Sequence, residues 1–145
     1  MRIKLILLLV LPIFLFTSCD SEDVKIQYSW WYLDNNSSQT VCIIDYIGIT
    51  RTIAPNERFE LASGSRNRGG NKPYNFYELF EYSDIKDSIS LYQSDYTTLL
   101  KTWRMSEKDD TGKQFYNEVS WHKEENISKD AERRIWIFTI EDSDL

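Results

Sequence analysis

The stretch VKIQYSWWY, residues 24–32, decides the fold because its pattern is that of a β-strand. Apolar residues recur at every second position, which is the period of a half-buried strand: Val24, Ile26, Tyr28, Trp30 and Tyr32. The pattern predicts that the face with Trp30 packs on the core. Trp31 then points to the opposite face. There it is either covered by a loop or forms a stacking platform for a sugar or a partner protein.

Further strands follow along the chain. TVCIIDY (residues 40–46) and RRIWIFTI (residues 133–140) are nearly continuous in apolar residues, as central strands are. Turn residues separate the shorter strand-like segments, among them Asn35-Asn36-Ser37-Ser38 and Pro55-Asn56. The segment NFYELFEY (residues 75–82) fits either a helical turn or an edge strand. Many short strands joined by turns predict an all-β fold, an antiparallel β-sandwich.

The first 18 residues have the features of a secretion signal. Arg2 and Lys4 precede an apolar run over residues 5–16, which is shorter than the roughly 20 residues of a membrane span. Phe16-Thr17-Ser18-Cys19 then resembles the lipobox of bacterial lipoproteins, with Phe16 where that family has an aliphatic residue. The resemblance implies that residues 1–18 are removed and that Cys19 is lipidated. The expected partner is a membrane, bound through acyl chains.

Acidic residues come directly after this cysteine. Asp20, Ser21, Glu22 and Asp23 form either a solvated tether or a sorting signal. In lipoproteins of the Bacteroidetes, acidic residues at this place resemble the signal for export to the outer face of the outer membrane. That resemblance implies sorting through Asp20, Glu22 and Asp23, and a lipid-anchored domain that faces the cell exterior. The alternative is a domain that faces the periplasm.

One domain is expected after residues 19–23. Residues 24–145 are enough for a single core and too few for two. Asn35-Asn36-Ser37, IAPNE (residues 53–57), Trp121 and the ending FTIEDSDL (residues 138–145) resemble small uncharacterised lipoproteins of Bacteroides and its relatives. That resemblance implies an immunoglobulin- or transthyretin-like sandwich and no known activity.

Charge and composition disfavour several classes of function. The net charge of -6 argues against nucleic acid binding. Once Cys19 is lipidated, Cys42 is the cysteine that remains, and its apolar neighbours predict a buried thiol. His122 is the single histidine of the chain, and its polar surroundings predict a solvated side chain and not a catalytic one. We therefore expect no cofactor, no metal site and no catalytic residue.

Residues 63–73, SGSRNRGGNKP, are expected to form a long exposed loop. Arg66, Arg68 and Lys72, beside glycine amides, are a set that suits a phosphate or a sulfated sugar. Lys72 is followed by Pro73, however, so the segment lacks the GK[ST] ending of a P-loop. Solvated charges are the simpler interpretation.

Two short patterns complete the candidate sites. Residues 107–118 partly match a calcium-binding loop, but two ligand positions are wrong, so a hairpin turn is the better interpretation. Asp87-Ser88-Ile89 resembles the three-residue O-glycosylation site of secreted Bacteroides proteins, which implies Ser88 as the acceptor.

Together these features predict a lipid-anchored, non-catalytic binding or structural module with a glycan or protein partner. Its candidate ligand-binding residues are Trp31, Arg66, Arg68 and Lys72. The alternatives are a small glycan-active hydrolase that uses paired carboxylates, a periplasmic partner of an envelope complex, and an inhibitor of a hydrolase.

Overall fold

Two four-stranded β-sheets form the fold. The computed structural model describes residues 25–44, 50–67, 74–81, 85 and 87–145. In chain order the strands are β1 Ile26–Asn35, β2 Val41–Ile44, β3 Thr50–Ile53, β4 Glu57–Asn67, β5 Ser88–Gln93, β6 Leu99–Arg104, β7 His122–Ile127 and β8 Ala131–Ile140. The other described elements are a short helix, α1 (Glu78–Glu81), and 3₁₀ turns at Met105–Glu107, Glu118–Ser120 and Asp142–Asp144.

The two sheets pack against each other and share one core, so the predicted all-β sandwich is confirmed. Sheet A has the strand order β4-β1-β8-β7, and sheet B has the order β3-β2-β5-β6. Among the described strand pairs, β1 and β8 are parallel and the others are antiparallel. β7 and β8 form an antiparallel hairpin, and β8 lies next to β1 and runs parallel to it. This partition differs from that of an immunoglobulin constant domain, in which the first, second, fourth and fifth strands share a sheet.

β1 lies in the middle of sheet A, and its buried face is the opposite of the predicted one. The buried side chains are Gln27, Ser29, Trp31, Leu33 and Asn35. Tyr28, Trp30 and Tyr32 lie half-buried on the outer face of the sheet. The predicted core face of Trp30 and outer face of Trp31 are therefore wrong. Both faces of β1 carry large aromatic rings, so the alternation of apolar residues does not decide between them.

Aromatic side chains fill the space between the sheets. Phe115 contacts Trp103, Trp121 and Phe138, with ring centroids 5.0–6.1 Å apart. The Trp121 indole donates a hydrogen bond to the Phe115 carbonyl at 2.7 Å, which satisfies its buried N–H. Phe115 and Trp121 belong to the connection that crosses from β6 in sheet B to β7 in sheet A. Residues 107–118 are therefore part of the crossover between the sheets, in which Phe115 and Tyr116 are buried, and not a hairpin turn.

The segment 74–81 packs on the inner face of sheet A. Phe76 contacts Trp121 with ring centroids 5.3 Å apart, and Phe80 contacts Phe115 at 5.9 Å. Tyr74 lies so close to β4 that a Cβ atom at Gly64 would be 2.9 Å from its hydroxyl group. Of the two interpretations open for residues 75–82, the helical turn is found, over Glu78–Glu81.

β4 is longer than its composition indicates. Residues 63–67, expected in a loop, pair with β1, and Ser63 lies opposite Trp30. These residues lack apolar side chains because β4 is an edge strand whose outer side faces solvent. The structure of residues 63–67 is therefore determined by their pairing with β1 and not by their local composition. Residues 68–73 of the expected loop lie outside the described residues.

Asn35 joins the two sheets at the end of β1. Its buried amide donates to the carbonyl of Ile53 in β3 at 2.9 Å and to that of Gln39 at 2.9 Å. The side-chain oxygen of Asn35 accepts a hydrogen bond from the Ser37 amide at 3.1 Å, which confirms the predicted turn. The predicted buried thiol of Cys42 is also found.

The C-terminus closes the same end of the sandwich. Asp142 accepts a hydrogen bond from the Ser38 amide at 2.7 Å. Asp144 is buried and accepts hydrogen bonds from the ammonium groups of Lys113 and Lys101. Burial alone raises the pKa of the Asp144 carboxyl, but its hydrogen bonds and the two nearby ammonium charges outweigh that effect. The pKa of Asp144 is therefore lower than its ordinary value.

We expect Asp144→Asn to lower the free energy of unfolding at neutral pH and to flatten its loss in acid. A carboxyl whose pKa is lower in the folded state stabilises the fold above its unfolded-state pKa, about 3.9. That contribution disappears as the pH falls through the folded-state pKa. The urea midpoint of unfolding can be measured by tryptophan fluorescence. As the pH falls below about 4, this midpoint should decline more steeply for the wild type than for the variant.

The matched control for this experiment is Asp110→Asn, which changes an exposed aspartate. The control should follow the wild-type pH dependence. Equal slopes for wild type and Asp144→Asn below about pH 4 would contradict the assigned role of this carboxyl.

Candidate ligand-binding site

The outer face of sheet A carries an aromatic groove. The rings of Tyr28 and Trp30 lie nearly parallel, at 12°, with centroids 5.8 Å apart. Tyr32 follows on the same face, and Arg133 and Ile135 of β8 line the groove beside the rings. The groove has a volume of about 580 Å³, which is within the roughly 300–1,000 Å³ of small-molecule sites. We call it the outer groove.

The strand register explains why a groove forms at this place. On β4, the residues opposite the two stacked rings are Ser65 and Ser63, both exposed and both too short to cover an aromatic ring. On β8, the residues opposite the same rings are Arg133 and Ile135. Directly opposite residues on neighbouring strands lie in contact distance. The rings are therefore flanked by hydroxyl groups on one side, and by an apolar side chain and a guanidinium group on the other.

An ion pair between Arg58 and Asp34 lies at the Tyr32 end of the groove. Arg58 donates to both carboxylate oxygens of Asp34 at 2.7 Å, and its guanidinium lies 5.2 Å from the centroid of the Tyr32 ring. The hydrogen bond to Asp34 raises the pKa of Arg58 against the opposite effect of burial. Burial and the nearby Glu60 raise the pKa of Tyr32, and Arg58 partly offsets them. The phenol of Tyr32 therefore stays neutral and can donate a hydrogen bond to a ligand.

A second groove lies at the inner edge of sheet A, with a volume of about 360 Å³. We call it the edge groove, and it is lined by Tyr74, Asn75, Phe76, Glu118, Lys123, Arg134 and Trp136. Lys123 lies 2.9 Å from Glu125 and 3.9 Å from Glu118. Glu118 also accepts a hydrogen bond from the Trp136 indole at 2.9 Å. The charged groups of the edge groove are thus engaged with one another.

Glu118 and Glu125 are the carboxylates to consider for a hydrolase. The hydrogen bond from Lys123 lowers the pKa of Glu125 against the opposite effect of burial. A general acid of a glycosidase needs a raised pKa, so the shift has the wrong direction for that role. Among the described residues, no group of three or more His, Cys, Asp and Glu side chains is placed to hold a metal ion.

The structure does not bring Trp31 and Arg66 together at one exposed site. Trp31 is 3% exposed and stacks on Trp136 with ring centroids 5.0 Å apart, so it is not an exposed stacking platform. Arg66 forms an ion pair with Glu78 at 3.0 Å and lies 3.9 Å from the centroid of the Tyr74 ring. Its guanidinium is therefore used within the fold.

Six predicted sites lie outside the described residues: Cys19, Asp20, Glu22, Asp23, Arg68 and Lys72. Ser88 is exposed at the start of β5, and its glycosylation stays a prediction. His122 is exposed on β7, 3.6 Å from Glu124, as predicted for a solvated histidine.

The alternation of apolar residues in β1 does not predict the outer groove. That pattern assigns Tyr28 and Trp30 to the core, whereas they line the groove. Asp34 is the residue of the sequence that indicates the correct orientation. It lies on the same face of β1 as Trp30 and Tyr32, and a charged residue rarely faces a core. Leu33, on the opposite face, is 1% exposed.

No protein-family model, no curated protein and no solved structure matches the chain. No helix in the described ranges is long and apolar enough to cross a membrane. A ligand class must therefore be argued from the chemistry of the site itself.

We expect Trp31→Ala to lower the free energy of unfolding by about 3–5 kcal/mol, because it removes a buried aromatic ring from the core. Trp30→Ala should cost only roughly 1 kcal/mol, because its ring is partly in solvent. Urea unfolding followed by circular dichroism measures both values. A larger loss for Trp30→Ala than for Trp31→Ala would show that the two faces of β1 are assigned the wrong way round.

Proposed function

We propose that this protein is a lipid-anchored outer-membrane lipoprotein, exposed at the cell surface, that acts as a non-catalytic glycan-binding module through its outer groove. The observation that carries the proposal is the row of half-buried aromatic rings on the outer face of sheet A. The anchor and the location are supported by the lipobox-like Cys19 and the acidic residues that follow it.

The composition of the outer groove favours a sugar chain as the ligand. The C–H bonds of a sugar ring pack on the electron-rich faces of aromatic rings, and Tyr28 and Trp30 supply two such rings in sequence. Sugar hydroxyl groups also need polar partners once water is displaced. Ser63 and Ser65 supply hydroxyl groups beside the rings, and Tyr32 supplies a phenol. Aromatic rings on β1 and hydroxyl groups on β1 and β4 thus occur together at the groove.

A protein partner fits this surface less well. A stable protein interface buries about 1,200–2,000 Å² in total, which requires a broad complementary surface. The outer groove instead lies along the neighbouring strands β1 and β8, and Arg58, Glu60 and Glu124 are exposed around it. A groove with charged surroundings suits an extended ligand better than a second globular surface.

The hydrolase alternative has weaker support. Glu118 of the edge groove and the neighbouring Glu125 both pair with Lys123, and the pKa of Glu125 is lowered where a general acid needs a raised one. We therefore place ligand binding at the outer groove and assign no catalytic residue.

We expect Trp30→Ala to weaken glycan binding at least about tenfold, which corresponds to about 1.4 kcal/mol. The measurement is a glycan array with the full-length protein in detergent, followed by calorimetric titration of the best binder. The matched control is Tyr77→Ala, which removes an exposed aromatic ring outside the groove and should bind as the wild type does. Equal losses for the two variants, or selective capture of one protein partner with no glycan bound, would contradict the proposal.

We expect Cys19→Ser to move the protein from the membrane fraction to the soluble fraction, because a single cysteine carries all acyl chains of the anchor. In intact cells of a Bacteroides-type host, external protease should digest the wild type. Changing Asp20, Glu22 and Asp23 together to Ala should protect it, because the sorting signal is lost. Protection of the wild type, with the outer membrane shown to be intact, would instead place the domain in the periplasm.

A further inference from the structure

Arg133 is a charged residue at the edge of the outer groove. It is exposed on the outer face of sheet A, lines the groove, and lies opposite Tyr28 in the strand register. Within the described ranges, Arg133 forms no ion pair with a carboxylate. Arg58 and Arg66, by contrast, are held by Asp34 and Glu78. An exposed guanidinium at the edge of an aromatic groove is therefore available to a ligand.

We infer that the outer groove binds an acidic glycan, with a uronic acid carboxylate paired to Arg133. This inference rests on the proposed glycan-binding function and adds the chemical class of the sugar. The planar guanidinium presents two parallel N–H groups, which match the two oxygens of a carboxylate. The ring of the same sugar unit would stack on Tyr28, the direct neighbour of Arg133 across the strands.

The charges around the outer groove favour one orientation of the bound glycan. At the Tyr28 end the groove carries Arg133, and its neighbour on β7 is the uncharged Asn126. At the Tyr32 end, Glu60 lies opposite the ring on β4, and the charge of the nearby Arg58 is already paired with Asp34. A ligand carboxylate is therefore favoured at the Tyr28 end and disfavoured at the Tyr32 end.

The opposite side of the groove completes the recognition of a sugar at this position. Ser65 lies directly opposite Tyr28 on β4, across from Arg133 on β8. A sugar stacked on Tyr28 can thus direct its carboxylate to Arg133 and a hydroxyl group to Ser65. Because Arg133 is exposed, its pairing with the ligand is screened by salt. Affinity for the acidic glycan should therefore fall as the salt concentration rises.

The test compares each acidic glycan with its neutral form. Oligosaccharides of galacturonate, mannuronate and glucuronate, each paired with its methyl ester, are titrated calorimetrically against the full-length protein in detergent. At least one acid should bind tighter than its own ester by tenfold or more. Arg133→Gln should remove this preference by lowering the affinity for the acid far more than the affinity for the ester, whereas Trp30→Ala should weaken both. Arg104→Gln, an exposed arginine of sheet B, is the matched control and should change neither affinity.

The outcomes separate the inference from the proposed function. Binding of esters or other neutral glycans at least as tight as that of the acids would overturn the acidic-glycan inference and leave glycan binding in place. A preference for acids that persists in Arg133→Gln would overturn the role of this residue. If neither acids nor esters bind, and a broad glycan array is also empty, the proposed function itself fails. Unfolding midpoints of all variants confirm that they are folded.

Discussion

The stack of Trp31 on Trp136 is the contact on which the rest of the structure depends. The two indoles lie directly opposite each other in the parallel pair β1–β8, with ring planes 9° apart. Glu118 binds the Trp136 indole and Lys123 lies over its ring, so the crossover connection and the edge strand β7 close on the same pair. Because side chains alternate along a strand, fixing Trp31 inward places the neighbouring aromatic residues outward: Tyr28, Trp30 and Tyr32. The outer groove is thus a consequence of a core contact.

Much of the fold was predictable because period and turn chemistry are local properties. The apolar run of residues 133–140 is a strand inside sheet A, and the Asn35 turn ends β1 as its composition indicates. The buried face of β1 was not predictable, since a strand with aromatic rings on both sides satisfies either orientation until its partners are known. Residues 63–67 were missed as a strand for a similar reason, because their pairing with β1 is a long-range interaction.

The proposed function follows from an apolar surface that the core does not use. Three aromatic rings in a row on a solvent-facing sheet are unusual unless something packs on them. In the proposed lipid-anchored form, a fully extended chain from Cys19 to Ile26 would span at most about 25 Å. The Tyr28 end of the groove, with Arg133, is the end nearest this tether. If the proposed lipid anchor is present, the module is restricted to ligands at the membrane surface.

The most direct measurement of the central claim is the solvent exposure of each tryptophan in solution. The protein is labelled with 5-fluorotryptophan, its five fluorine resonances are assigned with single Trp→Phe variants, and the shift between H₂O and D₂O is recorded for each. Trp30 should show the largest isotope shift, because the other four indoles are at most 6% exposed. A large shift for Trp31 and none for Trp30 would mean that β1 presents its other face. The outer groove and both proposals built on it would then be wrong.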